Sequence, residues 1–166
     1  FFLPVKTGSD EKATPVLAVS RQLSDDPDWL AFRERLSQSG FEITDYWKNP
    51  NDLPAWWSRL YSDKTSVILS FDGAVFPAGW APAGTVCLDF RTQPPDREIL
   101  VEHWLPGYAV IGSNAEIADA WNQRLPKDRS AYAVDASGRL AGGRTSQSLD
   151  CAGLIALLKR EIALPQ

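Results

Sequence analysis

The sequence predicts a three-layer α/β/α sandwich on a mixed, mostly parallel sheet that ends in a C-terminal antiparallel hairpin. Strand-like and helix-like segments alternate through the first half of the chain, an order typical of parallel sheets with helices on their faces and right-handed crossovers. The segment 65–71 has three successive apolar residues at 67–69, as is usual for a strand buried on both faces. Two short strand-like runs on either side of a tight turn at 136–138 predict the hairpin.

The first strand and the first helix have clear boundaries. Residues 15–20 form a short apolar run that predicts a buried strand. Asp26 is a favoured N-cap residue, Pro27 suits the first helical position, and Asp28 places an acid in the first turn. A helix is therefore predicted from Pro27, and Gly40 is predicted to end it.

The next three elements complete a β-α-β-α-β order. Residues 41–47 alternate in the manner of a strand. Asp52 is predicted to cap a second helix, because apolar residues follow it at helical spacing. Those residues are Leu53, Trp56, Trp57, Leu60 and Tyr61. The apolar run 65–71 is the third strand.

The middle of the chain interrupts this alternation. Residues 72–84 contain three Gly, two Pro and two large aromatic residues, a composition that excludes a helix and predicts a loop. A strand is predicted at 85–90 and a turn at 91–96, where two prolines are adjacent. Residues 98–104 alternate and predict an extra strand, with a helix as the alternative.

The last third has the strongest helix and hairpin signals. Residues 108–111 predict a strand, and Ser113 with Glu116 has the spacing of a capping box ahead of an apolar helical stripe. Further strands are predicted at 131–135 and 139–143, and a final amphipathic helix from Ser148.

Composition limits the class of protein. Hydrophobic residues are 44% of the 166 and charged residues 23%, which suits one globular domain, assigned to 15–163. The net charge is −4 and the 17 basic residues are scattered, so a nucleic-acid surface is not expected. No apolar run approaches the roughly 20 residues that a membrane-spanning helix needs.

The N-terminal segment suggests a piece of a longer protein. The chain begins at Phe1 without a Met and contains no Met, and residues 1–14 are predicted to be a polar linker or the stub of a membrane anchor. We therefore expect a location in the periplasm or cell envelope, with any membrane contact made through a missing N-terminal segment. An artificial cut in a longer sequence explains the same start, so a cytoplasmic location stays open.

Two cysteines stand 64 positions apart in the sequence. Cys87 lies in an apolar run and Cys151 lies on the apolar stripe of the last helix, which favours two buried, inert thiols. A disulfide between Cys87 and Cys151 in an oxidising compartment is the alternative, and it would add roughly 2–4 kcal/mol of stability.

Two segments of the last third carry a resemblance to a known family. They are the helical segment AEIADAW at 115–121 and the strand-turn segment AYAVDASGRL at 131–140. With the closing helix, they make residues 108–162 similar to the C-terminal half of thioredoxin-like folds, especially the peroxiredoxin and thiol-disulfide reductase branches. The resemblance implies a thioredoxin-like sheet, and a Rossmann-like sheet is the alternative within the same class.

The chain departs from this family at its active site. Where the family places redox cysteines at the start of an early helix, this chain has Asp26, Pro27 and Asp28. Where the family has a cis-proline ahead of the hairpin, this chain reads Arg129-Ser130. The resemblance therefore implies a redox-inactive relative and transfers no catalytic residue.

The loop at 72–84 is the best candidate site. Asp72 follows a predicted central strand, and ligands of open α/β sheets bind at the carboxyl ends of strands. Phe76 and Trp80 in the loop, with Trp104 further along, are predicted to contact a partner protein together with Asp72. The alternative is an Asp-Gly turn whose aromatic residues pack back on the core.

His103 is the only histidine. A lone histidine needs a nucleophile or metal-ligand companions to do chemistry, so a structural role is favoured and no metal or cofactor is expected. The function expected is a non-catalytic protein-binding or adaptor domain of an envelope or secretion-associated protein. The alternatives are a hydrolase or transferase using Asp72 with His103 as base, and the redox-inactive thioredoxin-like domain.

Overall fold

A computed structural model of the chain describes eight segments. These are residues 14–20, 25–47, 67–72, 84–95, 106–126, 130–135, 139–142 and 148–163. The second helix predicted from Asp52, the extra strand predicted at 98–104 and the turn predicted at 136–138 lie outside the described residues.

The described strands form one mixed sheet in the order β2-β1-β3-β4-β5-β6-β7. Every neighbouring pair is parallel except β6 and β7, which are antiparallel. The predicted fold class is thereby confirmed, and the first five strands follow 2-1-3-4-5, a common order of doubly wound sheets. The strands are β1 (Thr14–Ser20), β2 (Phe41–Trp47), β3 (Val67–Phe71), β4 (Val86–Arg91), β5 (Tyr108–Gly112), β6 (Ala131–Val134) and β7 (Leu140–Gly142).

Helix α1 (Pro27–Gln38) begins where the sequence predicts it. The Asp26 carboxylate accepts hydrogen bonds from the backbone N–H groups of Asp28 and Trp29, both at 3.0 Å. These bonds satisfy two of the donors that a helix N-terminus leaves unpaired. The buried side of the helix consists of Trp29, Phe32 and Leu36.

Helix α2 (Ala115–Asn122) has a different cap from the predicted Ser113. Asn114 is the N-cap, and its side-chain oxygen accepts from the Ile117 N–H at 2.9 Å. The Ser113 N–H instead donates to the carbonyl of Arg91 at 3.0 Å. The residue after β5 is thus used to hold the ends of two strands together, and the cap moves one position along the chain.

Helix α3 (Cys151–Ala163) covers the same side of the sheet as α1, whereas α2 covers the other. We call these two sides the α1/α3 face and the α2 face, and together with the sheet they make three layers. The α1/α3 face holds the larger buried cluster. On the α2 face, Val110, Ala131 and Ala133 pack against Ile117, Ala118 and Trp121.

Gly112 allows α2 to lie close to the sheet. A Cβ at this position would lie 2.7 Å from the backbone nitrogen of Ala118, closer than packed atoms approach. Among the described residues, no helix is long and apolar enough to cross a membrane.

Candidate functional site

The candidate site lies at the edge of the sheet where the parallel strands β3, β4 and β5 end. Phe71 pairs with Phe90 at this edge, and Arg91 pairs with Gly112. Because parallel strands bring their carboxyl ends together, the residues that follow them share one border of the molecule. In open α/β sheets this border is the usual ligand site.

Asp72 follows β3 directly and is fastened to the residue that follows β4. Its backbone has a φ of 47°, a left-handed conformation that Asp tolerates better than most residues. Its N–H donates to the carbonyl of Phe90 at 2.7 Å. Its carboxylate accepts from the Thr92 N–H at 2.7 Å through Oδ1 and from the Thr92 hydroxyl through Oδ2. We call this arrangement the Asp72–Thr92 clasp.

A second carboxylate, Asp89, lies in the middle of β4 and is 1% exposed. Strand alternation places it on the α2 face, away from the apolar cluster formed by its neighbours in the chain. The Arg91 guanidinium donates to Oδ2 from Nε at 2.9 Å and lies 2.8 Å away through Nη2. Ser70 donates to Oδ1 at 3.2 Å and the Tyr108 hydroxyl donates to Oδ2 at 3.1 Å. These four residues form the Asp89 cluster.

Arg91 joins the Asp89 cluster to helix α2. Its guanidinium carbon lies 4.7 Å from the centroid of the Trp121 ring, a favourable cation–π distance. The Trp121 Nε1–H in turn donates to the carbonyl of Gln93 at 2.9 Å. The cation is therefore held from two sides, by a carboxylate and by an aromatic face.

Burial shapes the acid–base behaviour of the groups beside Asp89. Burial, followed by the negative charge of Asp89, raises the pKa of the Cys87 thiol from 9.0 to about 12. The same two causes, in that order, raise the pKa of the Tyr108 hydroxyl well above its usual 10.0. Both groups are therefore neutral at physiological pH, and a thiol in this state is a poor nucleophile.

The two cysteines are free and buried. Cys87 alternates with the core residues of β4 and lies on the α2 face, whereas Cys151 belongs to the cluster on the α1/α3 face. The structure therefore has the two buried thiols that the sequence favours. The disulfide offered as the alternative is not formed in this structure, because the sheet separates the two sulfur atoms.

The other predicted site residues divide into two groups. Asp72 lies at the predicted edge of the sheet. Phe76, Trp80, His103 and Trp104 lie outside the described residues. The pairing of Asp72 with His103 and the aromatic contact surface therefore stay predictions.

Sequence reasoning missed the Asp89 cluster. The available signal was the segment VCLDFR, in which an acid and a base alternate with large apolar residues inside a predicted buried strand. A charge in such a run needs a partner. Arg91 lies two positions after Asp89 on the same face of the strand and is the partner that the sequence offers. Ser70 and Tyr108 could not be found this way, because they come from neighbouring strands.

One further surface feature lies far along the sheet, between α1 and the edge strand β2. It is a shallow groove of about 350 Å³ lined by Leu30, Arg33, Glu34, Ser37 and Ile43. Across the part of the chain that the structure describes, no group of three His, Cys, Asp or Glu side chains is arranged to hold a metal ion.

No protein-family model matches the chain, and no curated protein is significantly similar to it in sequence.

Proposed function

We propose that this chain is a non-catalytic protein-binding domain of a larger envelope or secretion-associated protein. Its contact surface is the edge of the sheet at Asp72, with Phe76, Trp80 and Trp104 as the aromatic contacts. The observation that carries the proposal is the Asp72–Thr92 clasp.

The clasp engages both oxygens of the carboxylate that the sequence offers for chemistry at this edge. A general base must place a lone pair within hydrogen-bond reach of the proton that it removes. At Asp72, one lone pair of each oxygen is already engaged by the N–H or the hydroxyl of Thr92. This favours a role in holding two strand ends together over a role in proton transfer.

The clasp also favours protein binding. Asp72 directly precedes the segment that carries Phe76 and Trp80, and three hydrogen bonds fix where the chain leaves β3. Fixing one end of a binding segment in advance lowers the entropy cost of association. Large aromatic side chains are enriched among the residues that dominate binding energy.

The experiment compares partner binding by three purified proteins. The partner is captured from cell-envelope extract, identified, produced separately and titrated by calorimetry. The Phe76→Ala/Trp80→Ala variant is expected to bind at least roughly 30-fold more weakly than the wild type, as for the loss of hot-spot residues. The control is Lys159→Ala, because Lys159 is exposed on α3, whose last turn contacts Gly107 just before the start of β5, at the opposite end of that strand. It is expected to bind like the wild type.

Two results would contradict the proposal. One is equal affinity of the double variant and the wild type, with circular dichroism showing both folded. The other is turnover of a panel of chromogenic esters or phosphates that is lost in both Asp72→Asn and His103→Ala. Asparagine retains an oxygen that can accept from the Thr92 N–H but cannot act as a base. A loss of turnover in this variant would therefore report on proton transfer by Asp72 while that hydrogen bond is retained.

A further inference from the structure

Asp72 is followed by Gly73, and this is the only Asp–Gly pair in the sequence, which contains no Asn–Gly. Glycine offers the least steric hindrance of any residue to attack by its own nitrogen on the preceding side chain. An Asp–Gly pair is therefore the place in a chain where aspartate most readily isomerises.

The reaction needs only water and the chain itself. The nitrogen of Gly73 bonds to Cγ of Asp72 when the carboxyl group is protonated. Its hydroxyl leaves as water with the proton lost from that nitrogen, and a five-membered succinimide results. Water then adds to one of the two ring carbonyls and reopens the ring. Addition at one carbonyl restores aspartate, and addition at the other gives isoaspartate of the same mass.

The clasp opposes the first step. Attack on Cγ converts the carboxyl group into a ring carbonyl, and both oxygens of that group are held by Thr92. The hydrogen bond from the Asp72 N–H to Phe90 also holds the backbone at its φ of 47°. Ring closure therefore requires these contacts to break first.

We propose that Asp72 is a site of spontaneous aspartate isomerisation and that Thr92 is the residue that suppresses it. Isoaspartate adds a methylene to the main chain and shortens the side chain by one carbon. The product cannot form the same two bonds to Thr92, so isomerisation opens the clasp. The inference concerns the chemistry of the chain and stands apart from the proposed partner.

The first test uses the wild-type chain alone, incubated folded in buffer and unfolded in concentrated urea. Isoaspartate is measured by labelling with an isoaspartate-specific methyltransferase and is located by peptide mapping. We expect label at Asp72 in urea, accumulating roughly tenfold or more faster than in the folded protein, because two hydrogen bonds hold the carboxylate in the fold. Equal rates at Asp72, or label in urea at other aspartates and not at Asp72, would overturn the proposal.

The second test separates the clasp from the rest of the fold. Thr92→Val removes the hydroxyl donor with little change in shape, and it is expected to speed isomerisation of the folded protein by about threefold to tenfold. Thr92→Ser retains both donors and should behave like the wild type. Ser113→Ala is the control, because Ser113 follows β5 at the same edge and its backbone bond to Arg91 does not depend on the side chain.

Equal rates for Thr92→Val and Thr92→Ser, both folded by circular dichroism, would also overturn the proposal. If Thr92→Val does not fold, Thr92→Ala takes its place, because alanine also lacks the hydroxyl, and equal rates for folded Thr92→Ala and Thr92→Ser overturn the proposal.

Discussion

The two sides of strand β4 differ sharply in the kind of side chain that they bury. Val86, Leu88 and Phe90 belong to the large apolar cluster on the α1/α3 face. Cys87, Asp89 and Arg91 alternate with them along the strand, and on the α2 face Asp89 and Arg91 form an ion pair at 2.8 Å. One strand therefore carries two kinds of interior, and the period of two in side-chain direction separates them.

The apolar side is stabilised by contact between rings. Phe90 is 0% exposed, and its ring centroid lies 5.6 Å from that of Trp29 and 5.5 Å from that of Phe32. Phe71 stacks beside it at 6.2 Å and also approaches Trp29 to 4.8 Å. These rings join α1 to β3 and β4. The stability of the cluster depends on the volume and shape of the rings that fill it.

The polar side is stabilised by satisfied hydrogen bonds. Asp89 accepts from Arg91, Ser70 and Tyr108, which compensates for the loss of water around a buried carboxylate. Removing one partner of a buried ion pair destabilises the fold more than removing both partners together. The two sides of β4 should therefore respond differently to truncation.

The largest effect is expected on the apolar side, from Phe90→Ala. Removing a fully buried ring from a packed cluster destabilises by about 3–5 kcal/mol. The measurement is urea unfolding followed by tryptophan fluorescence. Phe90→Leu retains much of the volume and is expected to lose less than half as much. Equal losses for the two variants would show that ring volume is not what this side of β4 depends on.

The second effect is expected on the polar side, from Asp89→Ala. This change leaves the Arg91 guanidinium, whose side chain is 16% exposed, without its carboxylate. Removing one partner of a buried pair costs about 3 kcal/mol, here reduced by the partial exposure of Arg91. The double variant Asp89→Ala/Arg91→Ala removes both charges and is expected to lose less than the sum of the two single variants. Strict additivity in this cycle would contradict a coupled pair.

The same comparison explains what the sequence can predict. Helix α1 is predictable because Asp26, Pro27 and the apolar stripe are local signals, and the structure uses the Asp26 cap as expected. The cap of α2 is missed by one position because the Ser113 backbone is recruited by Arg91, a contact made across the sheet. At this position, hydrogen bonding between strands overrides the local preference of Ser113 for the helix cap.

The Asp89 cluster shows the same limit. Its members lie on three strands, and Asp89 is 19 residues from both Ser70 and Tyr108. Only the register of β3, β4 and β5 brings them together, and register is a property of the whole sheet. Asp72 is different, because its place after a central strand marks it as an edge residue before any pairing is known.

Alkaline pH is expected to have the smallest effect for each pH unit, and Cys87 on the polar side contributes to it over a wider pH range than Cys151 on the apolar side. In the unfolded chain the Cys87 thiol ionises near pH 9.0, whereas in the folded protein its pKa is about 12 because of burial and Asp89. Its contribution to stability is fully present below pH 9.0 and is lost as pH rises toward 12. The unfolded state gives up its proton first, so the free energy of unfolding falls by at most about 1.4 kcal/mol per pH unit in this window.

Cys87→Ala removes this contribution, so its unfolding free energy is expected to fall less steeply with pH above 9.0 than that of the wild type. Cys151→Ala is the matched control on the other side of the sheet, because burial raises the pKa of Cys151 only to about 11. Below pH 10 both variants should flatten the curve to a similar extent, since both thiols are then protonated in the fold. Toward pH 11 the two curves should separate, because only Cys87 remains protonated in the folded wild type. Parallel curves for the wild type and Cys87→Ala across this window would show that Cys87 ionises as readily in the fold as in the unfolded chain. The polar side of β4 would then be better hydrated than its hydrogen bonds indicate.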